Sequence, residues 1–183
     1  MTNLLTRLVA SAAIAIAAAP ALANPEVGGA AMFESKNIVE NAVNSKDHTT
    51  LVAAVKAAGL VDTLASPGPF TVFAPVNAAF AALPAGTVDT LLKPENKAML
   101  TKVLTAHVVA GTLTAAKLKA CAKKSRDGFC NMTTVSGDAL SAKVRGKNLY
   151  IYDESGTAGR VTIADVMQSN GVIHVVDTVL VPK

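Results

Sequence analysis

Two stretches of the sequence decide the fold. Phe70–Phe80 reads FTVFAPVNAAF, and Ser169–Pro182 reads SNGVIHVVDTVLVP. The first opens on five residues with high β-propensity, ends its strand at Pro75, and continues into a short predicted helix. In the second, VIHVVDTVL is apolar on both sides, which is typical of a strand inside a sheet rather than at its edge. We therefore expect the two stretches to meet as neighbouring interior strands.

The segments around these stretches predict helices first and strands later. Leu51, Val52 and Val55 share one helical face in a segment that Gly59 ends. Beyond residue 106, short strands divided by glycine are predicted at His107–Ala110, Met132–Val135, Leu140–Arg145, Leu149–Tyr152, Arg160–Ile163 and Val172–Leu180. This segregation favours an α+β fold over a βαβ alternation.

The first 23 residues are typical of a secretory signal peptide. Leu8–Ala19 is an unbroken run of small apolar residues, followed by Pro20 and by Ala21-Leu22-Ala23, with cleavage expected after Ala23. A membrane anchor is the alternative, but the run is shorter than the ~20 residues of a bilayer span. We expect a secreted or periplasmic protein of bacterial type with no integral span in the mature chain. Residues 24–33 are expected to be a flexible lead-in, and residues 34–183 the domain.

Composition bounds the class of protein. The chain has 183 residues, of which 51% are hydrophobic and 16% charged, and this excludes a disordered, highly charged segment. One globular domain is expected. Aromatic residues make up 4% of the chain, which leaves little material for stacking on bases, so no nucleic-acid partner is expected.

The two cysteines lie nine positions apart. Cys121 and Cys130 flank AKKSRDGF, which has turn chemistry at Asp127-Gly128. In an oxidising compartment the default is a local disulfide, worth about 2–3 kcal/mol for so small a loop. Zinc binding and redox activity are the alternatives, but no histidine lies nearby and the spacing is not Cys-x-x-Cys.

Positive charge is concentrated around the cysteines. Between residues 117 and 147, only Asp127 and Asp138 oppose eight basic residues: Lys117, Lys119, Lys123, Lys124, Arg126, Lys143, Arg145 and Lys147. Such asymmetry favours an anionic partner, for example an acidic polysaccharide or a lipid headgroup. The alternative is an ordinary solvated surface.

No catalytic motif accompanies the histidines. The sequence has no Gly-x-Ser-x-Gly, His-Glu-x-x-His or phosphate-loop pattern. His48 stands at a helix start and is expected to be exposed. His107 and His174 stand in apolar strands, where an imidazole needs hydrogen-bond partners. We interpret both, with Asn77 and Asp177, as polar residues that hold the core. No cofactor, metal site or enzymatic activity is predicted, and a hydrolase using His107 or His174 is the remaining alternative.

The two opening stretches resemble the signature boxes of the fasciclin (FAS1) domain family, in order and in separation. Leu104–Leu118 is similar to the family's tyrosine-histidine region, and Asn37–Leu60 resembles its opening helices. The resemblance implies a wedge-shaped, mainly antiparallel sheet flanked by several short helices.

The resemblance also implies function. Family members are usually non-catalytic and serve adhesion or extracellular interaction, with surface or matrix proteins or polysaccharides as partners. Animal members use a tyrosine-histidine motif and an Asp-Ile-Met-type motif for receptors. The corresponding residues here are Ala106-His107, which lacks the tyrosine, and Asp165-Val166-Met167, so His107, Asp165, Val166 and Met167 are the candidate partner-binding residues. The alternative function is binding of a small apolar ligand such as a carotenoid or lipid, because some fasciclin-like proteins are associated with carotenoids.

Overall fold

Helices fill the first part of the chain, as the apolar periodicity predicts. The computed structural model describes residues 24–182, so the predicted signal peptide lies outside the described residues. The α-helices are α1 (Ile38–Ala42), α2 (Thr49–Ala58), α3 (Val61–Ala65), α4 (Asn77–Ala81), α5 (Thr87–Leu91), α6 (Lys97–Thr105) and α7 (Ala115–Lys124). The predicted end at Gly59 is confirmed, since this residue follows α2 with φ 73°. At the start of α7, the Thr114 side chain accepts a hydrogen bond from Lys117 N–H.

The strands of the second part join one earlier strand in a large sheet. Strand bounds are β1 (Glu26–Val27), β2 (Ala30–Ala31), β3 (Phe70–Pro75), β4 (Val108–Ala110), β5 (Phe129–Thr133), β6 (Ala139–Arg145), β7 (Asn148–Tyr152), β8 (Ala158–Gln168) and β9 (Gly171–Val176). Within residues 24–182 the large sheet has seven strands, in the order β4-β3-β9-β8-β7-β6-β5. Neighbours are antiparallel except β3 and β9, which confirms the predicted α+β fold with a mainly antiparallel sheet.

The two opening stretches meet at the centre of this sheet. Strands β3 and β9 pair in parallel from Phe70 opposite Gly171 to Pro75 opposite Val176, and every residue of β9 is buried. A Cβ atom added at Gly171 would lie 2.0 Å from the Phe70 carbonyl oxygen. The pairing therefore requires glycine at this position, and the predicted interior neighbours are confirmed.

The central strands separate two hydrophobic clusters. Along β3, Val72 and Ala74 pack with the helices α1 to α4 and α6, whereas Phe73 packs with α7 and strands β5 to β7. This alternation follows from the period of two residues in a strand. Because both faces of β3 and β9 are covered, these strands read as continuous apolar runs.

The segment before the predicted domain also contributes to the core. Strands β1 and β2 pair as an antiparallel hairpin, and the side chains of Val27 and Met32 are 4% and 2% exposed. The sequence analysis expects a flexible lead-in over residues 24–33. In the structure this segment instead packs against the helices, because its two large apolar side chains have a site in the first cluster.

Candidate functional site

His107, which directly precedes β4, and His174 of β9 are buried with both ring nitrogens in hydrogen bonds. His107 Nδ1 donates to the Val103 carbonyl at 2.8 Å, and Nε2 accepts from Leu180 N–H at 2.9 Å. Burial lowers the pKa of His107 to about 4, so the ring is neutral at pH 7. These contacts tie α6 to the chain after β9, and His107 itself is 3% exposed.

His174 likewise has both ring nitrogens in hydrogen bonds. Its Nδ1 accepts from Asp165 N–H at 3.3 Å, and Nε2 donates to the Leu113 carbonyl at 2.7 Å. The ring stacks on Phe73 with 5.6 Å between centroids. Burial lowers the pKa of His174 as well. The ring is therefore held between β8, β9 and the segment that leads into α7.

The other two predicted core polar residues differ in burial. Asn77 is half-buried: its Oδ1 accepts from Thr50 N–H, and its Nδ2 donates to the Lys46 carbonyl. Asp177 is exposed, and one of its carboxylate oxygens lies 3.3 Å from Arg160 Nε. Its predicted position in the interior is corrected, because β9 ends at Val176 and the next residue leaves the sheet.

The Asp-Val-Met segment lies inside strand β8. The register between β8 and β9 shifts at this point, and Asp165 adopts φ 57°. Its Oδ1 accepts from Ala115 N–H at 2.7 Å, at the start of α7. Val166 is fully buried and Met167 is half-buried. Of the three candidate partner-binding residues in this segment, only Asp165 is exposed, and its carboxylate already has a structural partner.

The predicted disulfide between Cys121 and Cys130 joins α7 to β5, with 5.2 Å between the Cα atoms. The disulfide shows which side of the sheet α7 covers. Cys130 and Met132 of β5 face α7 and are buried. By alternation, Phe129 and Asn131 lie on the opposite side. We call this opposite side of β5 to β8 the open sheet face.

The eight basic residues lie in three places. Lys117, Lys119, Lys123 and Lys124 lie on α7. Lys143 stands opposite Phe129 in the register, and its Nζ lies 4.1 Å from the centre of that ring, so it belongs to the open sheet face. Arg145 is two residues further along β6 and lies on the same face. Arg126 and Lys147 lie in the turns that precede β5 and β7.

Aromatic residues accompany the cations on the open sheet face. The guanidinium of Arg145 lies 5.8 Å from the ring centre of Tyr150 and 5.4 Å from that of Tyr152. Phe129 meets Tyr152 edge to face at 5.5 Å. The sequence alone did not predict this cluster. Alternation along the paired strands places these side chains on one face, but only once the register of the strands is known.

Two further polar features were also missed. Asn170 accepts from Ile38 N–H and donates to the carbonyls of Leu64 and Ser66, so it joins the turn between β8 and β9 to α1 and α3. His48, expected to be exposed, is 3% exposed. It is hydrogen-bonded through Nδ1 to Ser45 Oγ at 2.9 Å, and burial lowers its pKa.

Apolar side chains line two spaces beside the helices. A cavity of about 80 Å³ lies between α1 to α3 and the sheet, lined in part by Val27, Ile38 and His48. A groove of about 270 Å³ lies between α5, α6 and the segment after β9, lined in part by Thr87 and Val181. Both spaces are bounded almost entirely by carbon atoms.

Within residues 24–182, no helix combines the length and the apolar character needed to cross a membrane. In the same part of the chain, no group of three or more His, Cys, Asp or Glu residues is placed to hold a metal ion.

Comparison with known proteins identifies relatives. The chain is 47% identical over 156 residues to protein sll1483 of Synechocystis sp., covering 85% of this chain and 79% of that protein. It is 34% identical over 168 residues to immunogenic protein MPB70 of Mycobacterium bovis, covering 88% and 78%.

A solved structure shares the fold. A FAS1 domain pair from the insect cell adhesion molecule fasciclin I matches with a TM-score of 0.71 at 19% identity, over 79% of this chain. This chain spans half of that chain's length. The family model for the fasciclin domain matches residues 46–182. The chain therefore belongs to the fasciclin domain family.

Proposed function

We propose that this protein is an exported fasciclin domain that mediates cell adhesion, or contact with a protein or matrix polymer in the periplasm or outside the cell, and that it is not an enzyme. The supporting observation is that the buried histidines and the surface cations of this protein are in different situations. The imidazoles of His107 and His174 have all their nitrogens in hydrogen bonds to the backbone. Cations and aromatic rings, by contrast, are gathered on the open sheet face.

Export can be tested on the full chain. Expressed in a bacterium with a periplasm, the protein is expected in the periplasmic or culture fraction with Asn24 as its first residue, by amino-terminal sequencing. A variant with Ala21→Lys and Ala23→Lys should retain the segment. Recovery of the full-length chain from the cytoplasm alone would contradict the proposal.

Adhesion can be tested on surfaces coated with residues 24–183. Envelope fragments of the source cells are expected to accumulate on the folded domain several times more than on the reduced and heat-unfolded protein at equal density. Equal accumulation on the two surfaces would refute the adhesive function. The export result would stand independently of this outcome.

A second candidate function is the binding of a small apolar ligand, such as a carotenoid or lipid, and the groove beside α5 and α6 favours it. Thr87→Trp should block this groove, whereas a tryptophan at the exposed Thr90, which does not line the groove, should block it less. Native mass spectrometry and the visible absorption spectrum should then show bound ligand in the wild type and in the Thr90 variant only. Ligand-free wild type from its native source would dismiss this candidate.

A further inference from the structure

A row of alternating rings and cations crosses four strands of the open sheet face. In the register of β5 to β8, Phe129 stands opposite Lys143, Lys143 opposite Tyr150, and Tyr150 opposite Arg160. Neighbouring strands are about 4.8 Å apart, so the row is roughly 14 Å long. Phe129, Lys143 and Tyr150 are half-buried, and Arg160 is exposed. The row is thus a continuous, solvent-facing track.

Two further residues widen the track on its flanks. Arg145 is exposed and lies over the rings of Tyr150 and Tyr152. The Tyr152 hydroxyl is shielded from solvent and makes no hydrogen bond. The Tyr152 side chain therefore contributes its ring, and not its hydroxyl, to the track.

Acidic groups stand at two edges of the track. Asp127 lies near Lys143, and hydrogen bonds from the Ser125 hydroxyl and Phe129 N–H, together with that lysine, lower its pKa. Asp177 pairs with Arg160 at the other end. Positive charge therefore dominates the middle of the track, at Lys143 and Arg145.

The pattern favours one class of ligand. A pyranose ring can place its C–H groups against an aromatic face, and a uronate carboxylate can accept hydrogen bonds from lysine or arginine. A polymer of uronates repeats both features along a line, as the track does. Nucleic acid would require a surface more uniformly basic than one bordered by two carboxylates.

We propose that the open sheet face binds an acidic polysaccharide of the polyuronate class, with Phe129, Tyr150 and Tyr152 packing on the sugar rings and Lys143 and Arg145 binding the carboxylates. The inference rests on the proposed function and assigns it a partner. It assigns ligand binding to Lys143 and Arg145 on the open sheet face and not to the lysines of α7. The sequence alone did not distinguish these two sets of basic residues.

The test is calorimetric titration of residues 24–183 with size-fractionated oligogalacturonate, with neutral dextran as control. The double variant Lys143→Gln and Arg145→Gln should weaken binding about tenfold or more, because it removes contacts to the ligand. Lys123→Gln with Lys124→Gln removes the same charge from α7 and should change binding by about twofold or less. Equal losses in the two variants would overturn the proposal in favour of unspecific attraction.

The rings are tested separately from the charges. Tyr150→Leu should abolish most of the affinity while Tyr150→Phe retains it, since stacking needs the ring and not the hydroxyl. Equal affinity of the two variants would contradict stacking. A single-stranded DNA oligonucleotide that competes as well as oligogalacturonate would overturn the choice of ligand. If the wild type binds envelope fragments but no oligogalacturonate, this inference is overturned, whereas the proposed adhesive function is not contradicted.

Discussion

At the scale of single residues, two buried histidines stabilise the fold. They differ in which ring nitrogen donates a hydrogen bond and which accepts one. His107 must carry its proton on Nδ1, because Nε2 accepts from Leu180 N–H. His174 must carry its proton on Nε2, because Nδ1 accepts from Asp165 N–H. Protonating either ring would break a hydrogen bond in which that ring is the acceptor. Acid should therefore destabilise the folded state.

The pH dependence follows from the depressed pKa of His107. Its folded pKa of about 4 lies below its unfolded value of 6.5, so its contribution to stability is fully present above pH 6.5 and is lost as pH falls towards 4. Between pH 7 and 5 the loss should be about 2 kcal/mol from this residue. Urea unfolding at both pH values measures it. The His107→Gln variant should show a smaller pH dependence, and an unchanged slope would contradict the assignment.

Asn170 gives a second prediction at this scale. Asn170→Ala removes its hydrogen bonds to Ile38, Leu64 and Ser66 and should lower the free energy of unfolding by about 2–4 kcal/mol. The exposed Asn148 is the matched control, and Asn148→Ala should change it by less than about 0.5 kcal/mol. Chemical denaturation of both variants decides. Similar effects in the two would mean that the Asn170 network contributes nothing specific.

At the scale of elements, the parallel pair of β3 and β9 is the feature most open to a steric test. Gly171→Ala would place a Cβ 2.0 Å from the Phe70 carbonyl oxygen, whereas at Gly159 the nearest atom is 3.4 Å away. The first substitution should destabilise by more than about 3 kcal/mol or prevent folding, and the second by about 1 kcal/mol or less. Thermal unfolding compares them. A stable Gly171 variant would argue against this register.

The contact between α7 and β5 depends on the disulfide. Replacing Cys121 and Cys130 by serine should lower stability by about 2–3 kcal/mol, because the unfolded chain regains the entropy of an open loop. Reductant should lower the unfolding temperature of the wild type to that of the double variant and leave the variant unchanged. A wild type insensitive to reductant under unfolding conditions would contradict the prediction.

Some elements could be predicted from the sequence and others could not, for physical reasons. The apolar run of β9 predicted a strand inside the sheet because both of its faces are covered. The open sheet face stayed hidden because Phe129, Lys143 and Tyr150 are distant in sequence, and only pairing brings them together. The burial of His48 was also missed, since its position at a helix start is typical of exposed residues and its burial depends on the folded chain around it.

At the scale of the whole molecule, residues outside the expected domain complete the core. Met32 is 2% exposed and Phe33 is 41% exposed. Met32→Ala should therefore lower the free energy of unfolding by about 2–4 kcal/mol, and the neighbouring Phe33→Ala by about 1 kcal/mol or less. Denaturant titration of the two variants checks this. Equal values would mean that residues 24–33 are the flexible lead-in that composition suggested.

The central claim is that His107 and His174 both belong to the framework of the fold and that recognition belongs to the exposed surface. Imidazole ¹⁵N spectra recorded from pH 7.5 to 5 test this most directly. We expect His107 to remain neutral throughout with its proton on Nδ1, and His174, whose pKa burial lowers, to carry its proton on Nε2 when neutral and to titrate below pH 6.5. Titration of either ring near pH 6.5, or rapid exchange between its two tautomers, would contradict the account.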